Sequence, residues 1–299
     1  DSETKHLIDG DSINHIAAGK PVFRTGVNYQ IAEYTFMRTS WGQGYRFPSM
    51  AELFISANQS GIEIYPNPDL KPESGWSTEI GLKQGVKIKN WRGYLDVAAF
   101  VMQYDNMMEF TFGNWGPILG FKSVNVGKTQ ISGLEISITG EGEISNNLTL
   151  NFLAGYTYMN PQSLDLASVY AIDRSGNELT YQNSSSDPSV LKYRYKHIAK
   201  LDSELKYKQF SLGTSLRYND FMRNIDKIFT SVLINGNYAD NPLRDDPELN
   251  GASDGNVPQY DTWEGQIPGI NAAREKFSNG DFIIDTRLGY QFNNTLRFG

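Results

Sequence analysis

The chain has 299 residues, a net charge of −7, no cysteine and only three histidines. These features exclude a disulfide framework and a thiolate metal site, and the acidic balance argues against nucleic acid as partner. Aromatic residues make up 13%, with 17 Tyr and 16 Phe, yet no run of roughly 18 apolar residues occurs that could form a transmembrane helix.

The N-terminal "DSETKHLIDGD" is polar and lacks an apolar core, so it reads as neither a signal peptide nor a first strand. Period-two alternation starts at Phe23–Ile31. Tyr34–Arg46 is a strand with apolar residues on both faces, so its facing is left open. Within "GYRFPSMAEL" (Gly44–Leu53), Pro48 disfavours helical geometry at Phe47 and ends the strand. Ser49 and Glu52 then form an S-x-x-E capping box for a short helix to about Phe54. In "YPNPDLKPES", Pro66, Pro68 and Pro72 restrict the unfolded chain and stiffen a returning loop. Trp76–Val86 restarts the alternation, setting Trp76, Ile80, Leu82 and Val86 against Glu79 and Lys83. Trp91–Asn106 is again apolar on both faces. Lys122–Gly140 alternates only in its second half, through Leu134, Ile136 and Ile138.

Leu148–Tyr158, His197–Tyr207, Phe210–Tyr218 and Phe282–Phe292 each set one apolar face against one polar or small face. Leu150, Phe152, Leu212, Leu216, Leu288 and Tyr290 belong to the apolar set. Asp202, Glu204, Asp285 and Arg287 belong to the polar set, with Arg24, Lys83, Glu135, Lys200 and Arg217. A tenth strand begins at "TLRFG", and Pro268–Phe277 reads as a short surface helix. Tight connections (Ala32-Glu33, Lys89-Asn90, Ser145–Asn147, Lys208-Gln209, Asn293-Asn294) alternate with long polar loops (Phe47–Gly75, Gly113–Gly120, Asn160–Leu191, Asn224–Gly280). A meander therefore gathers every tight turn at one end of the sheet and every long loop at the other. Long strands, polar inside and aromatic-rich outside, predict an all-β fold, an antiparallel transmembrane β-barrel with long extracellular loops and short periplasmic turns. Tyr156, Tyr158, Tyr207, Tyr218 and Tyr290 fall where the membrane interfaces would lie. A soluble β-sandwich would instead have strands of about 5–6 residues and no such asymmetry. Nine or ten strands read as a fragment of a larger barrel.

The segments "SWGQGYRFPSMAELF", "NPDLKPESGWSTEIGLKQ", "NVGKTQISGLEISI" and "IPGINAAREKFSNGDFIIDTRLGYQF", in that order, resemble the C-terminal half of the barrel of TonB-dependent outer-membrane receptors. The resemblance runs from Pro21 to Gly299. It implies a plugged barrel of roughly 22 strands in the outer membrane of a Gram-negative bacterium. The implied function is active import of a ferric siderophore or other large chelate or glycan. On this reading residues 1–299 are the C-terminal portion of the barrel domain, and the plug domain and early strands lie elsewhere. The implied partners are outer-membrane lipid, the TonB system through the N-terminal region, and a small-molecule or glycan ligand. The alternative is a passive porin or a surface-exposed adhesin barrel, distinguished by whether a plug domain lies upstream.

No nucleophile elbow, zincin, P-loop or dinucleotide motif is present. His197, the strand histidine, falls on the apolar face, which sets a membrane hydrolase aside; no enzyme activity and no cofactor is expected. The three histidines (His6, His15, His197) are too scattered for a metal cluster. "RDDPELNGASDGN" (Arg244–Asn256) misses the calcium-loop spacing and reads as a solvated loop; a cation on Asp245, Asp246 and Asp254 is the minority alternative. The loop aromatics Tyr65, Trp115, Tyr238, Tyr260 and Trp263, with Phe112, are the candidates for stacking on a chelate or sugar. Tyr45, Arg46, Pro48, Glu52, Leu53, Asn67, Pro68, Leu70, Pro72 and Glu73 form the motif carrying the resemblance, and they read as architectural, turning the chain at the outer rim.

Overall fold

The computed structural model describes residues 5–8, 11–14, 21–59, 61–230, 232–234, 237–239, 270–292 and 297–298. Ten antiparallel strands follow one another as a meander in a single sheet. They are β1 (Arg24–Ala32), β2 (Thr35–Arg46), β3 (Glu73–Ile88), β4 (Trp91–Asp105), β5 (Thr129–Ser145), β6 (Leu148–Ser163), β7 (His197–Tyr207), β8 (Phe210–Asn219), β9 (Asp281–Gln291) and β10 (Arg297–Phe298). The longest has 17 residues, about three times an ordinary strand of 5–6. Among the described residues β1 and β10 each pair on one side only, so the sheet is open. Lys5–Ile8 and Asp11–Asn14 pair in a separate hairpin, so the polar N-terminus does contain strands, although outside the ten-stranded sheet.

The tight connections join β1 to β2, β3 to β4, β5 to β6 and β7 to β8. Lys89, Asn147 and Lys208 take positive φ of 57°, 56° and 53° at three of them, a geometry that matches the twist of the flanking strands; the β1–β2 turn closes without it. Asn293-Asn294 lies outside the described residues. The long connections, 47–72, 106–128, 164–196 and 220–280, all leave the opposite end.

Two strand expectations are corrected. Lys122–Gly140 is not one strand: Gly120–Asn125 belongs to a small sheet in the loops, and β5 starts only at Thr129. Gly127 makes the break, with φ +88°, a conformation glycine adopts without a Cβ penalty. The loop before β5 is accordingly 106–128 and not Gly113–Gly120. In turn, β6 runs beyond Tyr158 to Ser163 and carries Pro161 inside it. Its pairing with β7 ends at Tyr158–His197, while β5 continues opposite it to Ser163. Pro161 therefore lies where one side of β6 is an edge, where a missing donor is tolerated.

Register settles the facing of every strand, because a one-residue slip would exchange the two faces. On the apolar face, Ile80 lies opposite Thr39 and Ala99, Ile136 opposite Val97 and Tyr156, and Leu201 opposite Ala154 and Leu216. Leu212 lies opposite Leu205 and Leu288. The other face takes Arg38, Glu79, Lys83, Asp96, Glu135, Lys200, Asp202, Glu204, Asp285 and Arg287. Arg38 reaches Glu79 on β3 and Asp96 on β4, each at 2.7 Å. It passes over Gly81, where a Cβ would come within 2.7 Å of its guanidinium carbon. A depression of about 460 Å³ gathers Arg38, Asp96, Glu135, Thr157 and Lys200 from five strands.

β4 mixes its pattern for a physical reason. β4 places Leu95, Val97, Ala99 and Val101 on the apolar face, but its polar-face positions at the loop end include Phe100, Met102 and Tyr104. Tyr104, with Ile131 of β5, packs under a buried cluster of Met107, Val124, Val126, Tyr181 and Leu191 from the loops. The outer loops thus fold back over the inner face. Tyrosines mark both ends of the apolar face: the Tyr156 hydroxyl and His197 Nδ1 are 2.7 Å apart, and Tyr290 donates to Gln209 at 3.0 Å.

Leu288 is 76% exposed on the apolar face and Arg287 lies on the polar one. Leu288→Arg is expected to lower folding stability in lipid by roughly 2–4 kcal/mol near the midplane, and Arg287→Ala by less. Denaturant titrations of the intact protein in liposomes check this, and the opposite ranking reverses the facing.

Candidate site at the outer rim

At the end of β2 the chain turns through Phe47 and Pro48 into the helix α1 (Met50–Phe54). Ser49 caps it: its hydroxyl accepts from the Glu52 backbone N–H at 3.2 Å, and Glu52 accepts in return from the Ser49 N–H at 2.7 Å. Arg46 joins three segments, bonding Glu52 at 3.0 Å and Glu73 of β3 at 3.3 Å. Glu73 also accepts from the Met108 N–H at 3.1 Å, bringing in the next loop. Partial burial raises the Glu52 carboxyl, but the hydrogen bonds from Ser49 and Arg46 outweigh it and hold it below the ordinary range. Leu53 and Leu70 are buried together with Met108 under this corner. Tyr45 lies edge-on to Phe47, with centroids 4.7 Å apart.

The proline-rich return is stitched to a second loop. Asn67 donates to the Ser123 carbonyl at 2.8 Å, and Asn125 accepts from the Lys71 N–H while donating to the Lys71 carbonyl. Segments with Pro68 and Pro72 lack donors for a regular ladder, and asparagine side chains supply the bonds instead. Beyond them Ala57–Gln59, Ile62–Tyr65, Gly120–Asn125 and Met108–Gly113 form a four-stranded sheet spanning both loops. The structure therefore brings Tyr45, Arg46, Pro48, Glu52, Leu53, Asn67, Pro68, Leu70, Pro72 and Glu73 to one corner of the rim.

The aromatic candidates are partly used up by packing. The Tyr65 hydroxyl donates to the Ile118 carbonyl at 2.7 Å, and its ring fills the space above Gly116 and Gly120. The Trp115 indole N–H donates to the Thr111 carbonyl at 3.3 Å, and its ring lies against the loop cluster, with the Lys122 ammonium 5.7 Å from its centroid. Phe112 is buried and stacks on Phe229 at 4.7 Å. The side chain of Tyr238, in the strand Asn237–Ala239, lies outside the described residues, as do Tyr260, Trp263, Asp245, Asp246 and Asp254. Among the described residues no group of three or more His, Asp or Glu could hold a metal ion.

The chemically densest place is one that local sequence patterns do not show. Lys192, fully buried, bonds Asp226 at 2.6 Å and the Ser184 hydroxyl at 3.1 Å. Ser184 closes the short helix α2 (Tyr181–Ser184). Asp226 also accepts from the Phe112 N–H and the Tyr193 hydroxyl, both at 2.8 Å. Tyr181, fully buried, accepts from the Lys192 N–H and donates at 3.5 Å to Glu109. Three loops, 106–128, 164–196 and 220–230, meet in this clamp. Burial would lower the Lys192 ammonium, but Asp226, Tyr170 and Glu109 together outweigh it and keep the group charged; burial also pushes up the hydroxyls of Tyr181 and Tyr193. The partners lie 34 and 72 positions apart, so no periodicity or motif links them. The orphaned polarity of "LKYRY" around Lys192 is the one local hint.

The family model for the β-barrel of TonB dependent receptor-like proteins matches residues 9–299. The chain is 22% identical over 208 residues to the hemoglobin and hemoglobin-haptoglobin-binding protein A of Haemophilus influenzae, covering 60% of this chain and 19% of that protein. Its fold is similar to that of the siderophore receptor PiuA from Acinetobacter baumannii, with a TM-score of 0.51, 18% identity, and coverage of 92% of this chain and 30% of that one. The ferric-catecholate import receptor Fiu of E. coli K12 gives a TM-score of 0.48 at 20% identity, over 92% of this chain and 29% of that one. The chain spans about a fifth of the curated relative and under a third of either structure. With its ten-strand meander, its charged inner face and a family match along nearly its whole length, the chain belongs to the TonB-dependent receptor β-barrel family of the Gram-negative outer membrane.

Proposed function

We propose that the chain is the C-terminal portion of the barrel of an active importer whose outer loops capture a scarce nutrient of the large-chelate class, such as a ferric siderophore. The observation that carries this is the loop body folded over the polar face and tied at the rim corner and the buried clamp. Loops held in one arrangement before the ligand arrives lose less entropy on binding it. The names of the relatives, a hemoglobin-binding protein and a siderophore receptor, support an iron-bearing cargo. In this reading a plug domain and the early strands come from the rest of the protein, and an N-terminal region contacts the TonB system. Uptake of labelled ferric siderophores and haem by cells carrying the intact receptor, with and without TonB, tests it. Uptake that requires TonB is expected; TonB-independent entry would mean a passive pore.

The loop aromatics Tyr65, Trp115, Tyr238, Tyr260 and Trp263 are the proposed stacking residues. Trp115→Ala is expected to weaken capture with barrel yield intact, through lost stacking area. Pro68→Ala with Pro72→Ala is expected to act oppositely, loosening the rim by about 0.4–1 kcal/mol per site while changing affinity little. Heat-modifiability on gels and binding of labelled ligand separate the two effects. Asp226→Asn leaves Lys192 buried without its counter-charge, at roughly 3–5 kcal/mol. Limited proteolysis of 164–196 should therefore speed up in this variant, while the strand ladder and heat-modifiability remain.

A further inference from the structure

The clamp holds more buried charge than it can pair. Glu109, 8% exposed, sits on the strand Met108–Gly113 beside Tyr181, and both Lys192 and Asp226 act on its charge. Its Oε1 takes only the long bond from Tyr181 at 3.5 Å, and its buried Oε2 has no hydrogen-bond partner. The Lys192 ammonium is committed to Asp226 and Ser184, and the Tyr193 hydroxyl to Asp226. A neutral carboxyl leaves a small polar debt at this position, whereas a carboxylate would be an unmatched buried charge that must draw in water or compete with Asp226 for Lys192.

We propose that Glu109 makes closure of the three-loop clamp proton-dependent: with Glu109 neutral the loops are locked together, and its ionisation releases them. The groups acting on Glu109 come from both other loops: Lys192, Arg194, Tyr170, Tyr181 and Tyr193 from 164–196, and Asp226 from 220–230. Burial pushes its carboxyl up to about 7, with Asp226 reinforcing the rise and Lys192 and Arg194 opposing it. The folded value lies above the unfolded one, so the closed clamp binds the extra proton. Closure is therefore strongest below the ordinary carboxylate range, weakens as pH rises from there, and the loss is complete above about 7. The device concerns the loops themselves and does not depend on which ligand the receptor takes.

Hydrogen exchange of the intact, ligand-free receptor in liposomes tests it, followed by mass spectrometry between pH 5 and 8 and corrected for intrinsic exchange. Peptides covering 108–113, 181–193 and 224–230 should lose protection by roughly tenfold to a hundredfold across this range, while peptides from β6 and β8 stay constant. Glu109→Gln keeps the shape without the charge and should flatten the profile at the protected level. A flat wild-type profile, or a slope that survives in Glu109→Gln, overturns the proposal. Should that variant fail to reach the membrane, the infrared spectrum of the unmodified receptor decides: a buried protonated-carboxyl band present at pH 6 and lost by pH 8 is expected, and its absence at pH 6 overturns the proposal.

Discussion

Hydrocarbon offers no partner for a peptide group, and that one constraint organises the molecule. In a barrel every spanning backbone donor and acceptor is met by a neighbouring strand. Once the ladder is set, each side chain's destination follows from its parity. The parity holds unbroken across the spanning portion from β1 to β9. Among the described residues the two register shifts in the sheet, at Gln30/Ala32 and Glu143/Ser145, sit beside tight turns. There the irregularity falls where water can satisfy what the ladder does not, and it does not carry into the span.

The loop end works by different physics. Its composition is polar, so packing alone cannot hold it; fixed hydrogen bonds with specific partners do. Arg46 illustrates the weaker kind: a half-exposed guanidinium shared between Glu52 and Glu73 contributes little in free energy, as exposed ion pairs generally do. Its value is geometric, since it sets the angle between β2, α1 and β3 while Glu73 holds the Met108 backbone. The asparagines at 67 and 125 act in the same way, replacing ladder bonds the prolines cannot donate.

How much could be read in advance follows from this division. Strands such as His197–Tyr207 were legible to the residue because both of their faces are simple. β4 was ambiguous because Phe100, Met102 and Tyr104 face inward at the loop end to meet a core contributed by other loops. Alternation records a strand's two environments, and here one environment changes along the strand. The capping box at Ser49 and Glu52 was legible because its partners are three residues apart. Lys192, Asp226 and Glu109 were not, because their meeting is a product of topology. The loop aromatics are not separable by sequence for the same reason: how much of the Tyr65 and Trp115 rings is engaged by Ile118, Thr111 and the loop cluster depends on contacts between distant loops.

Burying a lysine and two acids in loops is a costly way to gain stability, since apolar residues of similar size would serve as well or better. What the charged version supplies is a single answer. An apolar cluster among three long loops can slide and repack, whereas Asp226 meets the Lys192 ammonium, the Phe112 N–H and the Tyr193 hydroxyl in only one arrangement. The unpaired Glu109 follows from the same choice: a site dry enough to make the Lys192–Asp226 bond specific is too dry for a second carboxylate to ionise freely. Fixed geometry and proton sensitivity at this rim thus have one cause, the exclusion of water from a charged junction between loops.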